Sequence, residues 1–202
     1  MTTTDIEQYD DSPSTELVNR RDLRNRATDS WTDVLVDVGA LASRIANTDF
    51  VPATFKDRDG NGNVAAVAAT ILAGREVGFA PMTALASMHS IKGKVGLYAE
   101  AMRALVLQAG HEIVFEEQSS SQCTIKGRRS GSDQWTKVSW TIADARQAGL
   151  LNTNKNWTTY PRQMLAARAS TELCRLVFPD VIRGLASVEE LEQLDEPIGV
   201  VG

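Results

Sequence analysis

The chain of 202 residues is 43% apolar and carries a formal net charge of −5. That length suits one domain with tails, and the apolar share is enough for a core. No leader pattern and no run of 18 apolar residues occurs, which excludes a membrane span and leads us to expect a soluble, intracellular protein.

The charge is unevenly spread. Residues 1–33 hold four Arg and eight Asp or Glu, 84–185 hold thirteen basic and eight acidic residues, and 186–202 hold five acids and no base. A basic middle between acidic ends is able to bind a polyanion, because fields act locally; an ordinary mixed surface is the alternative. Cys123 and Cys174 lack CxxC spacing and read as buried thiols. His89 and His111 have no ligand partner at motif spacing, so no metal site is expected.

Residues 1–27 are rich in Thr, Asp and Arg and read as a mobile tail. Val34, Leu35, Val38, Leu41 and Ile45 recur at helical spacing over about 30–47, with Ser30 as the expected cap. FKDRDGNGN (55–63) is a loop by composition; it resembles a calcium loop in Asp57 and Asp59 but lacks the final Glu. Asn63 is expected to cap a helix with Val64, Val67, Ile71 and Leu72 on one stripe, ending near Gly78, and Pro81 suits the first turn of a short helix. Two β-compatible runs flank Lys92-Gly93 and predict a tight hairpin. A helix over 99–109 stops at Gly110, and strands follow at 111–117, 122–129 and 134–141. TIAD (141–144) reads as a capping box, and the helix it opens stops at Gly149. A polar loop over 150–158 leads to a helix with Pro161 in its first turn, stopped by Pro179. SVEE (187–190) caps a last acidic helix. Helices flanking a small antiparallel sheet make the class α+β.

Strand alternation assigns Ile113, Phe115, Cys123, Ile125, Val138 and Trp140 to core faces and Lys126, Arg128, Trp135 and Lys137 to the opposite face. That outer face suits nucleic acid or is simply solvated. In the helix after Pro161, Leu165, Ala169, Leu173 and Leu176 form an apolar stripe, with Arg168 and Arg175 aligned at its edge. Glu172 stands four residues after one and three before the other, so a surface Arg–Glu–Arg network is the plain alternative to a phosphate site. That network leaves Lys155, Trp157, Tyr160 and Arg162 unexplained. A helix N-terminus suits a phosphate, and the two aromatics either stack on bases or anchor the loop.

GREVGFAPMTALASMHSIKGKVGLYAEAMRALVLQAGHEI (74–113) and NWTTYPRQMLAARASTELCRLVFPDVIRGL (156–185) resemble the RecT family of phage and prophage recombinases, single-strand annealing proteins similar in kind to the lambda Beta protein. The resemblance covers roughly 35–195. Its most specific part is the ordered set W-x-x-Y-P-x-x-M-x-x-x-R followed by F-P-D-V. It implies a RecT/lambda-Beta-like α+β annealing fold, with an annealing domain over 28–185 between the N-terminal tail and a short acidic C-terminal helix and tail over 186–202. It implies binding of single-stranded DNA and pairing with a complementary strand in phage recombination, without ATP. It also implies rings or helical filaments with DNA in a basic groove, in the cytoplasm of a bacterial host. The residues it assigns to DNA are Lys92 and Lys94 in the hairpin, Lys126, Arg128 and Arg129 in the sheet, and Lys155, Trp157, Tyr160, Arg162, Arg168 and Arg175 in the signature loop and helix. It implies no required cofactor, with magnesium as a candidate counterion. Partners would be single-stranded DNA, the annealed duplex intermediate, further copies of the chain, a phage exonuclease and the host single-strand binding protein. Family members often continue into a longer C-terminal region, where this chain has only the acidic segment after 186.

Two rival readings remain on sequence grounds. One is a single-strand binding protein that coats without annealing. The other is a small nuclease or hydrolase, against which stand the lack of a carboxylate cluster at metal spacing, of G-x-S-x-G and of a phosphate loop; GREVG lacks the G-K-[ST] ending.

Overall fold

The computed structural model describes residues 31–152 and 155–193. The expected tail over 1–27 and the Ser30 cap lie outside these residues. The chain opens with α1 (Trp31–Ile45), a 3-10 turn (Ala53–Phe55), α2 (Val64–Glu76) and α3 (Pro81–Ser87). The hairpin β1 (Met88–Ile91) and β2 (Lys94–Leu97) follows, then α4 (Ala99–Gln108). Next come β3 (Glu112–Gln118), β4 (Gln122–Arg128), β5 (Thr136–Thr141) and α5 (Ile142–Gln147). After a second 3-10 turn, α6 (Asn156–Thr159), α7 (Pro161–Val177) and α8 (Val188–Gln193) complete the order. The fold is α+β, with a two-stranded and a three-stranded antiparallel sheet.

Local chemistry sets most of the boundaries. Asn63 accepts a hydrogen bond from the Ala66 N–H and caps α2. Thr141 and Asp144 form a complete capping box at α5. Pro161 starts α7, where its missing N–H costs nothing. Lys92 and Gly93 have φ of 47° and 80°, the doubly positive pattern of a type I′ hairpin turn. Loop 150–158 is not all irregular, since it contains the 3-10 turn and α6. In the Asp-rich loop, Asp57 accepts bonds from the N–H groups of Asp59 and Asn61 and from the Asn61 amide. That carboxylate holds its own turn, closed by a bridge between Lys56 and Gly62. Among the described residues no group of three His, Cys, Asp or Glu is placed to hold a metal ion.

Three cores build the body. One joins α2, α3 and the 3-10 turn through Val51, Phe55, Val67, Ile71 and Leu85. A second joins α3, the hairpin and α4 to the end of α7 through Met88, Leu97, Met102, Val106, Cys174 and Phe178. The third packs α7 on the three-stranded sheet through Cys123, Ile125, Val138, Leu165, Ala169 and Leu173, with Trp157 sealing one side. Both cysteines are buried and free, and burial pushes the Cys174 thiol up to about 12. Among the described residues no single helix is long and apolar enough to cross a membrane. The apolar pair α2 and α3 bends by 104° and buries its faces in the first core.

Several side chains depart from the expected pattern, among them Leu35 of the α1 stripe, which is exposed. Val64 is exposed at the first turn of α2, and Phe115 reaches the edge of burial under the Arg103 guanidinium. Leu176 is 63% exposed rather than part of the α7 core stripe. It follows Glu172 by four residues and shares that residue's outward face of α7, so it forms a wall of a surface cleft.

Gly74 in α2 lets α3 approach closely: a Cβ there would collide with the Ala84 side chain. Gly74→Ala should lower unfolding stability by about 1–3 kcal/mol, read from the urea midpoint. An unchanged midpoint would refute this account of the α2–α3 contact.

Candidate nucleic-acid interface

The predicted basic residues fall on several surfaces, and the reason is strand alternation. Gly127 in β4 faces α7, since a Cβ there would lie 3.1 Å from the Leu173 and Phe178 side chains. Lys126 and Arg128, its neighbours, therefore face away from α7, and so does Lys137, which pairs with Lys126 across the ladder. Within one protomer the thickness of the sheet separates the sheet cations from those on α7.

The outer sheet face is an internally compensated array. Lys126 and Arg128 each lie 4.9 Å from the Trp135 ring centre. Arg128 pairs with Glu112 at 2.6 Å. Phe115 faces Ile125 and Glu117 faces Thr124, so Glu116 is the extra residue of a bulge. Its carboxylate binds both Lys137 and Lys126, which holds it below the usual carboxylate range. Arg129 lies past the strand end and does structural work. It binds Asp180 through two bonds, of 2.6 and 2.9 Å, and donates to the Val177 carbonyl near the C-terminus of α7.

A second group sits where the chain enters α7. Lys155 and Arg162 are exposed, Tyr160 is 54% exposed, and Arg162 donates to the Gln118 side chain at 3.3 Å. Trp157 is different. It is only 2% exposed and packs in the core with Leu150 and Leu165, so of the two roles left open for it, stacking on bases or anchoring the loop, its position fits anchoring. The hairpin carries Lys92 and Lys94 exposed at its turn.

An open concavity lies along the second half of α7. A cleft of about 500 Å³ is lined by Trp140, Arg168, Thr171, Glu172, Arg175, Leu176 and Glu190. Arg168 lies 5.3 Å from the Trp140 ring centre, and the Trp140 indole N–H donates to Glu172 at 2.6 Å. Burial lowers the Arg168 pKa, while Glu190, Glu189 and Glu172 oppose that effect. Arg175 pairs with Glu190 at 2.8 Å. Of the Arg–Glu–Arg network weighed as the plain alternative, Glu172 accepts from Trp140 and Arg175 reaches α8.

On the other side of the first turn of α8 lies a cleft of about 330 Å³ lined by Tyr98, Arg103, Gln118, Gln163, Met164 and Glu189, among others. Arg103 reaches from α4 to the Ser170 hydroxyl at 2.8 Å. Gln118 belongs to this cleft and is also the partner of Arg162. Trp140, Arg103 and Glu190 were missed as site residues by sequence reading. Alternation marked Trp140 as core, and the capping pattern marked Glu190 as a cap, but no sequence spacing predicts that both meet α7.

Residues 96–200, more than half of the chain, match the RecT family. The matched span contains the whole of the block from Asn156 to Leu185. Among curated proteins, nothing matches.

Two outcomes follow from the packing. Trp157→Ala should destabilise the protein by about 3–5 kcal/mol in urea unfolding, whereas Tyr160→Ala should cost far less. Unchanged stability together with weakened DNA binding in Trp157→Ala would restore the stacking role. The Asp180 carboxyl is held at about 2 by the Arg129 guanidinium. Because that pKa is depressed, the contribution of the pair to stability is present above the unfolded carboxyl pKa of about 3.9 and is lost as pH falls through about 2. An NMR titration should show the low midpoint in the wild type and a return toward about 3.9 in Arg129→Ala. A normal midpoint in the wild type would contradict the bidentate link.

Proposed function

The chain belongs to the RecT family, whose members anneal single-stranded DNA in recombination, and from that premise we propose that it binds one strand and pairs it with its complement without ATP, acting as an oligomer. The observation that carries this reading is the convergence of Arg168 and Arg175, one helix line apart on α7, in an open cleft walled by Trp140 and Leu176. Guanidinium groups bind phosphate oxygens in a bidentate way, and an aromatic wall tolerates any base or sugar.

Affinity in this reading comes from phosphates and is therefore salt-dependent. Base edges stay exposed, so the incoming strand tests its own complementarity and hydrogen bonding between bases supplies the specificity. One protomer offers several short basic surfaces rather than a continuous groove. Head-to-tail repetition, which produces rings or open helices, is what joins them along the strand. Lys155, Tyr160 and Arg162 at the entry to α7, together with Lys92 and Lys94 at the hairpin turn, are the exposed positions that such repetition would bring into line. Lys126, Arg128 and Arg129 enter as reserve contacts, because a phosphate must first displace Glu112, Glu116 or Asp180 from them.

No step calls for a nucleophile, a general base or a nucleotide cofactor, and magnesium enters only by screening phosphates. A phage exonuclease and the host single-strand binding protein are the partners this role would supply and meet.

Arg175→Ala should weaken binding of oligothymidylate and flatten the plot of log affinity against log salt by at most about 0.7. Arg168→Ala should do the same with some loss of stability, because its guanidinium also packs on Trp140. Mixing two labelled complementary strands should give faster duplex formation with the protein than without it. Binding without acceleration would make the protein a coating factor instead, and unchanged affinity in folded Arg175→Ala would reject the α7 cleft.

A further inference from the structure

The α7 cleft is not a reservoir of unused positive charge. Its lining holds two arginines and two carboxylates, Glu172 and Glu190, so it is close to neutral. Glu172 is committed to the Trp140 indole N–H. Glu190 is the carboxylate on Arg175, through Oε1 at 2.8 Å.

Glu190 is also held from behind. Its Oε2 accepts from the Ser187 N–H, and its own N–H donates to the Ser187 hydroxyl, both at 3.2 Å, a complete capping box. The turn that carries it is anchored well. Ser187, Val188 and Leu191 are buried, and Leu97 donates its N–H to the Ala186 carbonyl. The helix therefore stays docked while one side-chain oxygen rests on the guanidinium. That oxygen accepts a charge-assisted hydrogen bond from the guanidinium, the same kind of contact a phosphodiester oxygen would make there.

Resting on the reading of the cleft as a phosphate site, we infer that Glu190 is a built-in competitor for the phosphate received by Arg175, so that engagement of DNA at this point is an exchange of carboxylate for phosphate. The exchange sets a threshold. An exposed ion pair of this kind contributes little, so a strand gripped at several points overcomes it, whereas a lone anion has only one contact with which to do so. It also leaves a mark on the salt dependence. DNA releases cations as its phosphates meet Arg175, but the displaced Glu190 then attracts one, which reduces the net release.

Glu190→Gln is the discriminating change. Gln also serves in a capping box, so the helix cap is kept while the charge is removed. With oligothymidylate as the probe, Glu190→Gln should tighten binding about two- to fivefold at low salt and steepen the salt slope. The gain should vanish in the Glu190→Gln, Arg175→Ala double variant, and the urea midpoint of Glu190→Gln should stay near the wild-type value. If Arg175→Ala weakens binding but Glu190→Gln, still folded, binds no tighter, the exchange is wrong and the cleft reading survives. If Arg175→Ala has no effect, both fall together.

Discussion

The structure depends on the way α7 is gripped on two sides. One side, through Leu165, Ala169 and Leu173, packs on Cys123, Ile125 and Val138 of the sheet. The other, through Cys174 and on to Phe178, packs against Met102 and Val106 of α4. Gly127 eases the approach, because a Cβ there would press on Leu173 and Phe178 at 3.1 Å. A helix held in this way has a limited strip left for solvent. Arg168, Glu172 and Arg175 occupy it, so the packing of the core decides where the cations project.

The second organising feature is compensation. Arg128 has Glu112, Lys126 and Lys137 share Glu116, Arg129 has Asp180, and Arg175 has Glu190. Exposed pairs of this kind contribute about 0–1 kcal/mol each, so they hold the cations in place without strongly resisting a competing anion. An acidic protein that handles a polyanion gains from the arrangement. In the proposed reading its cations stay ordered without DNA, and occupying them is a charge exchange rather than the neutralisation of a bare patch. Tight binding then needs many weak contacts along one strand, in keeping with a protein that must hold a strand and still let it pair.

The elements that meet at the cleft come from distant parts of the chain. The first turn of α8 lies between the two clefts, with Glu189 lining one and Glu190 the other. Glu189 is half-buried, and that desolvation raises its pKa. Because α8 also packs on the β1–β2 hairpin, with Leu191 against Gly96, the hairpin that carries Lys92 and Lys94 is physically joined to the carboxylate on Arg175.

Local rules determined much of this protein directly from its sequence. The Asn63 cap, the Thr141 and Ser187 boxes, the Lys92-Gly93 turn, the Pro161 start and the alternation of the three strands are short-range matters of hydrogen bonding and sterics, readable within a few residues. The block from Asn156 to Leu185 likewise carries the family likeness as an ordered string. What only the tertiary structure decided is which charges face one another. Periodicity puts Arg168 and Arg175 on one line but cannot show that Glu190 will close on Arg175 or that Trp140 will take Glu172. Nor can it show that Trp157 turns inward, or that the sheet stands between two sets of cations. Those outcomes depend on how helices and strands far apart in the chain come to rest against each other, and side-chain partners at a surface follow from that packing.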